Sequence, residues 1–158
     1  MAKVLIVVGD AVEAQEIFYS YYRLKEEGFD VKVAAPSKKT LFTVVHDFEP
    51  GIETYTEKPG YRFAWVDLTF EEIKPEDYDG LIIPGGRAPE YIRTSPHLPR
   101  TVKHFFEKNK PVAAICHGPL VLTAYGLIKR RKLTAYGVLK ADIEGSGGTF
   151  LDQEVVVD

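Results

Sequence analysis

The first 36 residues constrain the fold more tightly than anything that follows. Lys3-Val4-Leu5-Ile6-Val7-Val8 is a continuous β-branched-rich run, apolar from Val4 to Val8 and closed by Gly9-Asp10, and Asp30-Val31-Lys32-Val33-Ala34-Ala35 reads as a second strand, stopped by Pro36. A run that is apolar throughout, rather than alternating, fits a strand covered on both faces. Between the two, residues 12–27 carry Ile17, Tyr21 and Leu24 at helical spacing, and Gly28 stands where a helix-ending residue belongs. Strand, helix and strand in so short a span form a βαβ unit, with parallel pairing and a right-handed crossover.

The alternation continues downstream. Gly80-Leu81-Ile82-Ile83-Pro84 reads as another buried strand, residues 96–108 as a helix, 111–115 as a strand and the stretch to about Tyr125 as a helix. Gly145-Ser146-Gly147-Gly148 reads as a loop and Glu154-Val155-Val156-Val157-Asp158 as a last strand. The expected architecture is an α/β doubly wound sandwich around a mainly parallel central sheet. A chain of 158 residues with 45% hydrophobic content holds one such domain and is too short for two. Residues 37–65 break the pattern: Tyr55, Tyr61, Phe63 and Trp65 accompany short β-like pieces such as Thr43-Val44-Val45, which predicts an inserted hairpin or ordered loop. A terminal strand with no closing turn or helix leaves one flank of the sheet to be covered by a partner or by further chain.

Lys and Arg total 20 against 23 Asp and Glu, so the chain carries no basic surplus for a nucleic-acid backbone. The one dense basic run, Lys129-Arg130-Arg131-Lys132, fits a solvated helix end. No apolar stretch approaches the roughly 20 residues of a membrane span. One cysteine makes no internal disulfide, and nothing resembles a leader, so a cytoplasmic location is expected.

That cysteine, Cys116, falls between the apolar 111–115 run and a helical stretch opened by Gly118-Pro119, with the small residues Ala114 and Gly118 two positions to either side. A nucleophile on a sharp strand-to-helix turn needs this arrangement, because the turn crowds its neighbours and pushes the side chain out over the sheet edge. Free cysteines are more often buried and inert, so position alone leaves the question even. A helix N-terminus would favour the thiolate. In a parallel sheet functional groups gather at the carboxyl ends of strands, where Gly9-Asp10-Ala11-Val12-Glu13, Pro84-Gly85-Gly86-Arg87-Ala88-Pro89-Glu90 and Cys116-His117-Gly118 would converge. Glu13 is expected beside the thiol, most useful in its protonated form, although from spacing alone it is an ordinary acid in a first helical turn. Gly85-Gly86, with the His117 N–H, offers an oxyanion hole, and His117 a general base if the turn is strained enough to face it onto Cys116. Among the other histidines, His104 reads as structural, His97 as a loop residue, and His46 with Asp47 as a surface pair in the aromatic insertion.

Taken together, Ala113-Ala114-Ile115-Cys116-His117-Gly118-Pro119, Leu81-Ile82-Ile83-Pro84-Gly85-Gly86-Arg87-Ala88-Pro89-Glu90 and Arg23-Leu24-Lys25-Glu26-Glu27-Gly28 resemble the PfpI-type intracellular protease family. That family belongs to the superfamily of the Parkinson-linked deglycase, with the class I glutamine amidotransferase-like fold. The resemblance implies a flavodoxin-like sandwich, Cys116 as the elbow nucleophile and Glu13 as the acid hydrogen-bonded to it. It also implies an oxyanion hole from Gly86 and His117, and Glu90 of one subunit completing a Cys-His-Glu triad with His117 of another. The implied protein is a homo-oligomer acting without cofactor or metal on a small carbonyl or peptide substrate, as peptidase, glyoxalase or deglycase. The resemblance implies that the 37–65 insertion is absent from the shortest members, and that such proteins usually continue past residue 158 through a turn, a strand and a closing helix. A redox-sensing or stress-protective protein that uses oxidation of Cys116 is the alternative. A glutamine amidotransferase is disfavoured because no histidine follows His117.

Overall fold

The computed structural model describes all 158 residues. In chain order the elements are β1 (Lys3–Val7), β2 (Val12–Glu13), α1 (Ala14–Glu26), β3 (Asp30–Ala35), β4 (Leu41–Asp47), β5 (Thr56–Phe63), β6 (Leu68–Thr69), β7 (Gly80–Ile83), α2 (Ala88–Ile92), α3 (Leu98–Glu107), β8 (Val112–Ala114), α4 (Pro119–Ala124), β9 (Lys132–Leu133), α5 (Lys140–Gly145) and β10 (Thr149–Phe150). The central sheet has the order β6-β3-β1-β7-β8 and is parallel throughout. The predicted βαβ unit is present, with Val4 paired to Val31 and Ile6 to Val33 across β1 and β3.

Side chains alternate across a strand, and β1 accordingly feeds two cores. Leu5 and Val7 pack with Leu81, Ile83, Leu98, Val102, Phe105 and Val121, under α3 and α4. Ile6 and Val8 pack with Ile17, Tyr21, Val33, Leu41 and Phe63, under α1 and the hairpin. Covering both faces is what allows β1 to be apolar from Val4 onward. No helix is long and apolar enough to cross a membrane.

The 37–65 segment is the expected hairpin, but it does more than elaborate a loop. β4 pairs antiparallel with β5 and parallel with β2, so this small sheet grips the start of α1. That pairing draws Val12 and Glu13 out of the helix predicted to begin at residue 12, and α1 starts at Ala14 instead. The strand expected over Glu154–Asp158 does not form; Val155 and Val157 are exposed and no strand pairs with them. A short β10 forms just upstream instead, paired in parallel with β9, and the Asp158 carboxylate merely accepts a hydrogen bond from the Lys132 backbone N–H. β8 is the edge of the central sheet and its Ala113 is exposed.

Gly118 abuts the carbonyl oxygens of Ile83 and Ile115, leaving no room for a Cβ. Gly118→Ala should therefore lower the unfolding free energy by about 3 kcal/mol, measured by urea denaturation, because a backbone oxygen cannot move aside as a flexible side chain can.

Candidate active site

The turn between β8 and α4 places Cys116 at φ 57°, a left-handed conformation rare for a residue with a side chain. Ile115 N donates to Ile83 O and Gly118 N to Ile115 O, which bends the chain back on itself within three residues. The strain brings sequence neighbours face to face: Cys116 Sγ lies 3.3 Å from His117 Nδ1. The turn between β7 and α2 runs alongside. Gly86 has φ 70° and a Cβ there would meet Ala11 O and Glu13 N; a Cβ on Gly85 would lie 2.6 Å from the Cys116 Cβ. The sequence reading expected the two glycines to let backbone N–H groups approach a substrate closely; here they also let backbone approach Cys116.

The two glycines divide their roles. Gly86 and His117 direct backbone N–H groups at the Cys116 sulfur, as donors to a developing oxyanion there would be placed. The Gly85 N–H is engaged elsewhere, donating to Glu16 Oε2 at 2.5 Å, so Gly85 is not a free donor for an oxyanion.

The carboxylate beside the thiol is Glu16, not Glu13. Glu13 caps α1, its Oε1 accepting from Gln15 N at 3.4 Å and its Oε2 from His46 N at 3.0 Å. Starting the helix at Ala14 turns Glu16, in the first turn, toward the carboxyl ends of β7 and β8, where it hydrogen-bonds Cys116. The spacing of three residues between the acids was visible in the sequence; the β2–β4 pairing that decides between them was not.

Burial pushes both members of this pair up. Burial is the largest effect on Glu16, raised to about 6, with the Glu13 charge adding and the Gly85 and Cys116 hydrogen bonds opposing. Burial again leads for Cys116, raised to about 12, followed by the Glu16 charge, with the Gly86 and His117 N–H groups opposing. The helix N-terminus therefore does not depress the thiol as expected; α4 is only six residues long and desolvation dominates. Between about 6 and about 12 the pair holds one negative charge and one proton, shared between sulfur and carboxylate. Alkylation of Cys116 by iodoacetamide should accordingly show an acid limb near pH 6, below which the pair is fully protonated and unreactive. A single rise near 8.5–9, as in a free thiol, would contradict the shared proton.

His117 is buried, and burial followed by the nearby His46 lowers its pKa, with Glu90 and Asp142 opposing. It is thus a neutral base at pH 7. Glu90 sits on α2, exposed, its carboxylate without a hydrogen bond or ion pair in this chain. These groups open into a cleft of about 750 Å³ lined by Glu13, Glu16, His46, Tyr55, Cys116 and His117, with Phe18, Tyr19, Phe48, Ile115 and Tyr136 among its apolar walls. His46 and Tyr55 come from the hairpin: His46 is largely covered rather than a surface residue, and Tyr55 was expected only as one of the insertion's aromatics, not in the site. His97 and His104 lie on or beside α3 and do not line the cleft. No three His, Cys, Asp or Glu side chains are grouped as a metal would require.

A family model, the DJ-1/PfpI family, matches residues 2–158, the hairpin included. The chain belongs to the DJ-1/PfpI family. Similar relatives include a deglycase of Pyrococcus horikoshii, 42% identical over 156 residues that make up 99% of this chain and 85% of the relative. Protein DJ-1 homolog D of Arabidopsis thaliana is 41% identical over 157 residues, 98% of this chain but only 40% of that protein, so the chain spans less than half the length of this relative. The DJ-1/PfpI fold recurs in a two-domain protein of Anabaena variabilis with DJ-1/ThiJ/PfpI-like and ferritin-like domains, with a TM-score of 0.83 and 31% identity over all of this chain and 42% of that one. Schizosaccharomyces pombe DJ-1, at 23% identity and a TM-score of 0.77 over 99% of this chain and 80% of its own, shares the flavodoxin-like fold.

Proposed function

We propose that this DJ-1/PfpI protein is a cofactor-independent enzyme that uses Cys116 as a nucleophile on small carbonyl compounds, converting 2-oxoaldehydes or the adducts they form to hydroxy acids. Several relatives carry the name deglycase, and the reading rests on one observation above all: a strained Cys116 in contact with both a carboxylate and an imidazole. The sulfur attacks the aldehyde carbon while its proton passes to Glu16 and on to the aldehyde oxygen, with that oxygen held by the Gly86 and His117 N–H groups. Neutral His117 then removes the hydrogen on that carbon as a proton and returns it to the neighbouring carbon. As the first oxygen gives up its proton and the second oxygen gains one, the first carbon becomes a thioester carbonyl and the second bears the hydroxyl; water then releases the hydroxy acid and restores the thiol, with no external oxidant. A peptide amide would use the same attack with His117 protonating the leaving nitrogen. Glu90 of a second copy, poised against His117, would make full activity a property of a homo-oligomer.

Conversion of methylglyoxal to lactate by the purified protein, followed alongside hydrolysis of small peptide amides, tests the reading; no turnover of either removes it. The Cys116–Glu16 pair also suits a second reading, in which peroxide oxidises the sulfur to a sulfinate that a protonated Glu16 stabilises. Intact mass after peroxide would then show a clean gain of two oxygens in a protein without turnover.

A further inference from the structure

The hairpin brings a phenol into the cleft, and the chemistry above leaves it without a task. Tyr55 lines the cleft together with Cys116 and His117, and its ring is held on several sides. It stacks on His46 with ring centres 4.1 Å apart. It meets His117, Tyr136 and Phe48 edge-on, at centre distances of 5.8, 5.7 and 6.3 Å. The His46 ring beneath it is itself anchored. Nε2 faces Glu57 Oε2 at 3.3 Å and carries the hydrogen, because an ionised carboxylate only accepts. Arg87 grips that carboxylate through Nε at 2.9 and 2.8 Å and Nη2 at 2.7 Å.

The ring is fixed, but its hydroxyl is free. Tyr55 Oη has no hydrogen-bond partner within the chain, and the only unpartnered side-chain polar atoms sealed from solvent are Thr101 Oγ1 and His104 Nε2. The hydroxyl is therefore open to a ligand. Burial, followed by the charges of Glu90 and Cys116, pushes the phenol pKa up, so it keeps a hydrogen to give at neutral pH.

A donor carried on an immobilised ring, in the cleft that contains the nucleophile, is preorganised for an acceptor atom. We propose that the Tyr55 hydroxyl donates a hydrogen bond to the second carbonyl oxygen of a vicinal dicarbonyl substrate, so that Tyr55 selects such compounds over simple aldehydes. The assignment rests on Cys116 adding to carbonyls as described above. In that addition the sulfur–carbon bond forms, the aldehyde C=O opens, and the thiol proton ends on its oxygen beside Gly86 and His117. Those two N–H groups are taken by the first oxygen. The adjoining carbonyl has a second oxygen to offer Tyr55, and a simple aldehyde has none. A phenol hydroxyl also accepts, so the contact survives when this oxygen becomes the hydroxyl of the product.

Protection of Cys116 from iodoacetamide, read before the probe is consumed, measures adduct formation without requiring turnover. The probes are methylglyoxal and trifluoroacetaldehyde, an equally thiol-reactive aldehyde with no second oxygen. Tyr55→Phe removes the hydroxyl alone and keeps the stack on His46. It should weaken protection by methylglyoxal about fivefold, the worth of one hydrogen bond, and protection by trifluoroacetaldehyde by less than about twofold. Tyr136→Phe, which removes a neighbouring hydroxyl, should weaken both by less than about twofold. Equal weakening of both probes in Tyr55→Phe, no change in either, a methylglyoxal-selective loss in Tyr136→Phe instead, or no protection of the native protein by methylglyoxal overturns the assignment. Failure of the native protein to form lactate, with the methylglyoxal-selective loss in Tyr55→Phe intact, would instead remove the proposed turnover and leave Tyr55 in its role.

Discussion

Cys116→Ala should reduce turnover of 2-oxoaldehydes and peptide amides about 10⁴-fold, to the uncatalysed rate, while leaving the fold intact. The loss is large because oxyanion donors and acid–base groups have no covalent step to assist once the sulfur is gone. The intact fold follows from the position: Cys116 is only partly buried, belongs to neither apolar core, and Ala meets the same backbone strain at φ 57° that Cys does. Thermal unfolding of the variant within a few degrees of the native protein, together with the lost turnover, separates a missing nucleophile from a damaged structure. Retained turnover would place the chemistry elsewhere in the cleft.

Glu16→Gln and Glu13→Gln should part company. Glu16 shares a proton with Cys116, so its amide, which cannot take that proton, should cost about 10²–10³-fold in kcat/KM. It should also abolish the acid limb near pH 6, because the group raised to about 6 is the one removed. Glu13→Gln keeps one of the two oxygens that accept from Gln15 N and His46 N, so one N–H loses its partner, and the change should cost about 1–2 kcal/mol of stability and less than tenfold in turnover. The pair of pH profiles is the decisive comparison, since a merely structural role for Glu16 would leave the limb in place.

These two acids also show where the sequence was legible. Local signals read correctly: the apolar run of β1, the strand pattern of β3, the glycine ending α1, and the crowding of Gly118 and Gly86 around the elbow all depend on residues within a few positions of one another. The fold class follows from them, because parallel strands joined by a helix admit few arrangements. The misplaced side chains share one cause, which is pairing between distant segments. β2 joining β4 moved the helix start and exchanged Glu16 for Glu13. The same hairpin carried His46 and Tyr55 over the thiol, 70 and 61 positions away along the chain from Cys116, where no spacing rule applies. Glu154–Asp158 has the composition of a strand but pairs with no other strand. The thiol was misjudged for a different reason: dipole and hydrogen bonds were foreseeable from the turn, whereas burial and the Glu16 charge, which outweigh them, depend on packing.

The most direct test of Cys116 as the nucleophile is intact-mass analysis and peptide mapping of the protein quenched during turnover of methylglyoxal. The account predicts a transient adduct of one methylglyoxal on the peptide containing Cys116, absent from Cys116→Ala and decaying as lactate appears. Steady lactate formation with that peptide unmodified, or adducts confined to lysine and arginine side chains, would contradict it.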